Sequence, residues 1–355
     1  MSFIDLTKEI PFQLPIKEIL FGEGVAEKAA KLCEGYGRLH LVCDENTKDF
    51  VHVNGGKTIL PSDQKPSIIT AQKLAKEDCD CFVAVGSGTV NDLVKYAAHL
   101  AGKPYVVFAT ALSMNGYASA NASLLPEQGL KHSYAATVPK AIYMDSEILT
   151  DAPKRLRNAG IGDSICRAVV QADCLLSHKL IGTPTYGEYF TLMQRYENEM
   201  FDSIEALAKT LTFSGVAMLM AGSSAPASGG EHMLAHYMEL EQADAPHSYH
   251  GEQIAVTTVA MTNIQMLRLQ NDFEVFGLEA VNEETALKYN KIKPCKIYVE
   301  DFQAIIAGHD QIEVKLAAIG APTMPDDLGW NTPTFVKAIH EAKLTRDRIT
   351  FLDLI

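Results

Sequence analysis

The 355-residue sequence has no long hydrophobic run, no C-x-x-C pair, no basic segment followed by an apolar one at its start, and no excess of positive charge. Each absence removes a class of protein. The longest apolar stretches, such as residues 215–221, fall far short of the ~20 consecutive apolar residues that a membrane-spanning helix needs, so no membrane insertion is expected. The opening MSFIDLTKEIPF does not read as a signal peptide. The seven cysteines are odd in number and scattered through apolar segments, with Cys79 and Cys81 one residue apart. That usage fits reduced, mostly buried thiols and a cytoplasmic location. Against 44 Asp and Glu stand 31 Lys and Arg, a net charge of −13. This balance disfavours nucleic acid or an anionic membrane as partner, while a local basic site can still hold an anionic substrate. There is no internal repeat and no low-complexity linker.

What is present is ordinary for a globular enzyme or binding protein: 47% apolar and 21% charged residues. At this length about two domains are expected. The first 150 or so residues alternate short apolar runs (18–21, 38–43, 57–60, 81–85, 105–109, 141–144) with amphipathic stretches (24–33, 68–76, 90–101). That alternation predicts an α/β domain with a mainly parallel sheet covered on both faces. Residues 122–125 and 130–134 predict a β-hairpin turning through 126–129. After Thr150-Asp151-Ala152-Pro153 the patterns become helical (159–177, 186–220, 251–270, 335–342), with Asp151 or Thr150 as a helix cap and Pro153 in the first turn. The expected boundary is near residue 152: a dinucleotide-binding domain over 1–152 and an all-helical domain over 153–355.

A buried strand at 81–85 runs into Gly86-Ser87-Gly88-Thr89-Val90-Asn91-Asp92 and then a helix. Backbone N–H groups in such a turn can approach a pyrophosphate, the helix N-terminus adds partial positive charge, and Gly86 and Gly88 lack the Cβ atoms that would block the approach. A tight turn that binds nothing is the plain alternative. The next strand ends in Thr110-Ala111-Leu112-Ser113, placing two hydroxyls at the carboxyl edge where ligands of open α/β sheets bind. Asp44, closing the strand at 38–43, can accept from an adenosine ribose and would repel a 2′-phosphate, favouring NAD over NADP; its alternative is a turn aspartate. Phe21-Gly22-Glu23-Gly24 matches a dinucleotide fingerprint weakly, since Glu27 takes the third glycine position.

Three segments of the second half carry candidate metal ligands: Gly160-Ile161-Gly162-Asp163, Gly229-Gly230-Glu231-His232 with His236, and His250-Gly251-Glu252. A borderline divalent metal takes imidazole nitrogens and a carboxylate, and a catalytic site keeps three protein ligands and one open position. Asp163 alone reads as a helix cap. His232 and His236 share a helical face, so both can ligate, or one can ligate while the other meets substrate. His99, His178 and His309 read as plain surface or core histidines.

These motifs, in this order, together with Thr110-Ala-Leu-Ser-Met-Asn-Gly-Tyr-Ala-Ser119, resemble the sn-glycerol-1-phosphate dehydrogenases. That group belongs to the superfamily of iron-containing alcohol dehydrogenases, glycerol dehydrogenases and dehydroquinate synthases. The tail Arg346-Asp-Arg-Ile-Thr-Phe-Leu-Asp-Leu-Ile355 resembles the bacterial members, and the likeness runs from about residue 15 to the end. It implies a Rossmann-like N-terminal domain, a helical C-terminal domain and an active site in the cleft between them. It further implies one zinc, nickel or iron ion on Asp163, His232 and His250. Dinucleotide contacts are implied at Gly86, Ser87, Gly88, Thr89, Val90, Asp92, Thr110, Ser113 and Ser119, and substrate contacts at His236 and Asn115. The family carries aspartate where this chain has Asn115, an uncharged group that donates as well as accepts. Arg167 stands where bacterial members often have lysine, a planar fork in place of a point charge.

The reaction expected is reversible hydride transfer between NAD, with NADP as the second choice, and a secondary alcohol or ketone. The substrate is sn-glycerol 1-phosphate with dihydroxyacetone phosphate, or a related small polyol or anionic alcohol. The metal acts as Lewis acid, with Asp163, His236 and Asn115 as the catalytic set. Arg167 and Lys131 are the candidate cations for a substrate phosphate, Lys131 standing also among the cofactor contacts; the plain alternative for each is a solvated surface charge. The rivals are a lyase of the dehydroquinate-synthase type, a dehydrogenase of unphosphorylated polyols and a nucleotide-binding sensor. Oligomeric state is left open, a homo-oligomer included.

Overall fold

The computed structural model describes residues 3–127 and 132–355. The chain divides into two compact units, Met1–Gly160 with Tyr196–Gly222, and Ile161–Arg195 with Ser223–Ile355.

The first unit is built on strands β1 (Ile4–Asp5), β2 (Glu18–Gly22), β3 (Leu39–Asp44), β4 (Gly55–Leu60), β5 (Cys81–Gly86), β6 (Tyr105–Ala109), β7 (Asn121–Leu124), β8 (His132–Ala135) and β9 (Ala141–Asp145). Seven of them form one sheet in the order β1-β2-β9-β6-β5-β3-β4. All its pairings are parallel except β1 with β2. β5 and β6 are buried at every position. This is why they read as unbroken apolar runs: a parallel strand covered on both faces has no polar side to show. Leu41, Val83, Val106 and Tyr143 meet in the core on one face. In register, Gly86 lies opposite Ala109, and the Thr110 N–H donates to the Gly86 carbonyl at 3.2 Å. The two strands therefore end level, where helix α1 (Gly88–Ala101) begins.

The hairpin is present as β7 paired antiparallel with β8. Residues 128–131 of its connection, including the candidate Lys131, lie outside the described residues. Residues 24–33, expected as one helix, are a 3-10 turn (Ala26–Lys28) and a single α-turn (Ala29–Leu32). The cap expected at Thr150 or Asp151 is not there. Asp145 caps the helix Ser146–Asp151, and Pro153 stands just before the next helix.

The long helical patterns of the second half are broken. Residues 159–177 divide around Cys166 into α2 (Lys154–Ile165) and α3 (Arg167–Ile181). Residues 186–220 divide into Gly187–Gln194, the 3-10 turn Glu199–Phe201 and α4 (Ile204–Ala221). α4 belongs to the first unit, so the compact units do not divide at residue 152. Helical periodicity says which face of a helix is apolar, not which core will receive it. α4 is held by the Asn115 Nδ2–Ser214 Oγ hydrogen bond (3.1 Å) and by Lys209, whose Nζ lies 2.8 Å from Glu9 Oε1. By length and composition α4 would also pass for a membrane span, with a mean hydropathy of 1.3, but 72% of it is buried inside the protein. It is a core helix.

The second unit is helical apart from one antiparallel pair, β10 (Phe273–Val275) with β11 (Cys295–Ile297). Helices α3, α5 (Gly230–Glu241) and α6 (His250–Arg268) share a core with the C-terminal segment, in which Val169, Leu176, Met233, Val256 and Phe351 are fully enclosed.

Candidate metal centre and nucleotide loop

Three elements of the second unit bring their ends together. Asp163 sits in the last turn of α2, His232 in the first turn of α5, and His250 is the first residue of α6. His232 Nε2 and His250 Nε2 are 3.3 Å apart; Asp163 Oδ1 lies 3.7 Å from the His250 nitrogen and 3.9 Å from the His232 nitrogen. The point equidistant from these three atoms is about 2.1 Å from each, the length of a metal–nitrogen or metal–carboxylate bond to zinc. Two imidazoles and a carboxylate also form the donor set that borderline divalent metals prefer. The residues therefore fit a divalent cation. Side-chain exposure is 1% for Asp163, 8% for His232 and 30% for His250, so the triangle opens on the His250 side.

Protonation suits the same reading. Burial, then the neighbouring His236, holds the His232 imidazole well below the usual histidine range, so the ring is neutral. Its Nδ1 donates to Glu231 Oε1 at 2.7 Å, which leaves the lone pair on Nε2. His236 is half-buried in the same cluster, its ring centroid 6.4 Å from that of His232 and 6.2 Å from that of His250, with Nδ1 3.3 Å from Glu239. His309, expected to be unremarkable, is a core histidine with Nε2 2.7 Å from Gln265.

Two buried carboxylates escaped the sequence reading. Glu231 and Asp173 are almost fully enclosed, and burial pushes each pKa up to about 7, opposed at both by backbone N–H groups. A sequence signal existed for Asp173, the one acid inside the apolar face of α3, and for Glu231 beside a candidate ligand.

In the first unit, Ser87 is the residue before α1, and its side chain makes no capping hydrogen bond among the described residues. The Gly-rich turn thus ends in backbone N–H groups that no side chain of the turn satisfies. Gly86 is required by the turn itself: a Cβ there would lie 2.6 Å from Val90 Cβ. At Gly88 a Cβ would meet only the Met114 side chain, at 3.4 Å. Thr89 and Val90 follow in the first turn of α1, and Asp92 Oδ2 accepts from the Ser123 N–H at 2.9 Å, tying β7 to that helix.

Thr110 is buried, while Ser113 and Asn115 are partly open. Ser119 is enclosed: its hydroxyl lies 2.9 Å from the Gly116 carbonyl and 3.3 Å from Lys95 Nζ. Lys95 was not foreseen. It is fully buried on α1, its Nζ also donates to the carbonyls of Gly116 and Asn121, and burial lowers its pKa to about 8. Asp44 Oδ1 accepts from the N–H groups of Asn46 and Thr47, both at 2.9 Å, as a turn aspartate does; Oδ2 makes no hydrogen bond among the described residues. Arg167 is buried, not solvated, and its guanidinium donates to Gln171.

The family model for iron-containing alcohol dehydrogenases matches residues 21–153. The glycerol-1-phosphate dehydrogenase (NAD(P)+) of Thermococcus sibiricus is 33% identical over 288 residues, covering 72% of this chain and 79% of the relative. The protein of that name from Bacillus velezensis is 27% identical over 379 residues, covering 96% of this chain and 91% of the relative. Among solved structures, a probable glycerol dehydrogenase from Sinorhizobium meliloti is similar with a TM-score of 0.70 at 17% identity, over 96% of this chain and 92% of that one. Maleylacetate reductase from a Rhizobium strain gives 0.63 at 15% identity, over 97% and 92%. At these identities the solved structures establish a shared fold.

Proposed function

This chain belongs to the family of the glycerol-1-phosphate dehydrogenases, and from that premise we propose that it is an NAD(P)-linked, metal-dependent oxidoreductase interconverting a secondary alcohol and its ketone. The substrate pair is sn-glycerol 1-phosphate and dihydroxyacetone phosphate. The observation that carries the proposal is the triangle of Asp163 Oδ1, His232 Nε2 and His250 Nε2, with sides of 3.3, 3.7 and 3.9 Å.

Asp163, His232 and His250 hold the cation. Once bound it supplies a Lewis acid that lowers the pKa of a substrate hydroxyl by stabilising its oxyanion. The chain's own groups do the rest. Asp163 offsets part of the positive charge, and the neutral His232 presents Nε2 because Nδ1 is engaged by Glu231. His236, in the same ring cluster and partly open, holds or relays the hydroxyl proton, a task that a ring with one donor and one acceptor nitrogen can perform. In the first unit the N-terminus of α1, at Ser87, Gly88 and Thr89, receives the pyrophosphate. Asp44 Oδ2 meets the ribose and favours NAD, and Asn115 and Ser113 line the nearby loop.

A cytoplasmic location accompanies this reading, supported by seven free cysteines, six of them buried. Assembly into a homo-oligomer belongs to the same proposal.

The test is an absorbance assay at the NADH band on the metal-loaded enzyme, with glycerol 1-phosphate, glycerol 3-phosphate, glycerol and other polyols. Glycerol 1-phosphate is expected to reduce NAD, and His232→Ala to abolish the signal together with the bound metal. Turnover confined to unphosphorylated polyols, or undiminished after metal removal, would refute the proposal.

A further inference from the structure

A histidine gives its Nε2 lone pair to a cation only when the proton resides on Nδ1, and an acceptor beside Nδ1 fixes both that tautomer and the plane of the ring. Of the two ligand histidines, His232 has such an acceptor in plain view. Its Nδ1 lies 2.7 Å from Oε1 of Glu231, its own chain neighbour. Glu231 is wholly enclosed, and the same Oε1 accepts from the Gly229 N–H at 2.8 Å.

The carboxylate has little freedom to move. A Cβ on Gly229 would lie 2.9 Å from Glu231 Oε2 and 2.6 Å from Asp173 Oδ2, so both glycines of Gly229-Gly230 leave room for a second buried acid beside the first. Asp173 Oδ2 accepts from the Gly230 N–H at 2.8 Å. Its Oδ1 accepts from the Phe351 N–H at 3.0 Å and from Gln265 Nε2 at 3.2 Å. The start of α5 is thereby pinned to α3, α6 and the C-terminal segment, and Glu231 is pinned with it.

A residue that merely capped α5 would be expected at its edge, in contact with water. Glu231 is instead enclosed, and its Oε2 has no partner among the described residues. Enclosing a carboxylate is costly unless something positive offsets it. The charge of Arg348 offsets part of that cost, and a cation on the far side of the His232 ring would offset more through the imidazole, in the carboxylate–histidine–metal arrangement.

We propose that Glu231 is a positioning residue that orients His232 through Nδ1 and raises the affinity of the Asp163, His232 and His250 centre for its divalent cation. The proposal rests on the metal reading of that centre.

The test is metal affinity, measured on the apoprotein with zinc alone in competition with a chromophoric chelator, for wild type, Glu231→Gln and Glu231→Asp. Loss of such an outer partner costs typically about 10- to 100-fold in affinity. Glu231→Gln, which keeps an acceptor but removes the charge, is expected to weaken zinc binding by roughly 10-fold. Glu231→Asp keeps the charge, withdraws the oxygen by one methylene and is expected to lose affinity too. It also serves as the second variant if glutamine disturbs folding. Melting of the apoprotein should change little, while the rise in melting temperature on adding zinc should shrink. A purely structural Glu231 gives the opposite pattern, a lower apoprotein melting point with zinc affinity intact, and that result overturns the proposal. Affinities within twofold of wild type in both variants overturn it as well. A wild type that binds zinc nowhere defeats the metal reading itself, an outcome distinct from either of these.

Discussion

Gly162 and Gly251 meet backbone against backbone: a Cβ built on Gly162 would lie 2.1 Å from the Gly251 carbonyl oxygen and 3.0 Å from Ala255 Cβ. Each glycine is the chain neighbour of a candidate ligand, Asp163 on one side and His250 on the other. The crossing of α2 and α6 at this point brings Asp163 Oδ1 to 3.7 Å from His250 Nε2. Neither helix could approach so closely with a side chain between them.

Gly162→Ala should therefore force the two helices apart. The expected cost is about 1–3 kcal/mol of stability, as for other overpacked cores, and bound metal should fall with it. Thermal melting and elemental analysis of the purified variant check this. A stable variant with a full complement of metal would show that the crossing tolerates a methyl group.

Cofactor preference is expected to turn on Asp44. Its Oδ1 closes its own turn, so Oδ2 is the oxygen available to a ribose. NAD(H) is expected to give the higher kcat/KM, and Asp44→Gly to narrow the margin over NADP(H) by removing the repulsion of a 2′-phosphate. A wild type that prefers NADPH would mean that the aspartate serves the turn alone.

Asn115 donates through Nδ2 to Ser214 Oγ at 3.1 Å. Aspartate at this position would reverse that bond, accepting from the Ser214 hydroxyl, and would add a charge beside the loop of Ser113. Asn115→Asp is expected to change kcat/KM for glycerol 1-phosphate relative to glycerol. A hydrogen bond to a charged group is worth ~1.5–3 kcal/mol, about 10- to 150-fold. Equal ratios in the two proteins would show that the substitution is neutral for substrate choice.

His309 ties acid sensitivity to the second unit. Burial, and then the charge of Arg167, lowers its pKa from 6.5 to about 4. Between those values the unfolded chain takes up a proton that the folded one refuses, so stability is full above about pH 6.5 and is lost as pH falls toward 4. At pH 5 the loss from this group is about 2 kcal/mol. His309→Gln keeps a donor for Gln265 and should melt with a smaller drop between pH 7 and pH 5 than wild type. Identical drops would show that other groups carry the acid response.

The amino-acid sequence alone determined the parallel sheet, because strands covered on both faces must be apolar throughout, as β5 and β6 are. It also marked Asp163, His232, His236 and His250 as candidate ligands, because Asp and His residues near glycines stand out in otherwise apolar helical segments, and the family resemblance chose among them. Other features depended on contacts between residues far apart in the chain. An unbroken helical pattern over 186–220 concealed both its interruptions and the return of α4 to the first unit, since periodicity describes one helix and not its neighbours. The burial of Lys95, Asp173 and Glu231 is set by other elements of the fold, and only that enclosure separates a buried ion with a fixed partner from a solvated one. The Arg167 guanidinium, which the sequence left between a phosphate contact and a solvated charge, is buried beside Gln171 by the same packing. Tertiary structure alone set the distances between the three candidate ligands, because they come from three helices, and α2 can cross α6 this closely only where Gly162 has no side chain.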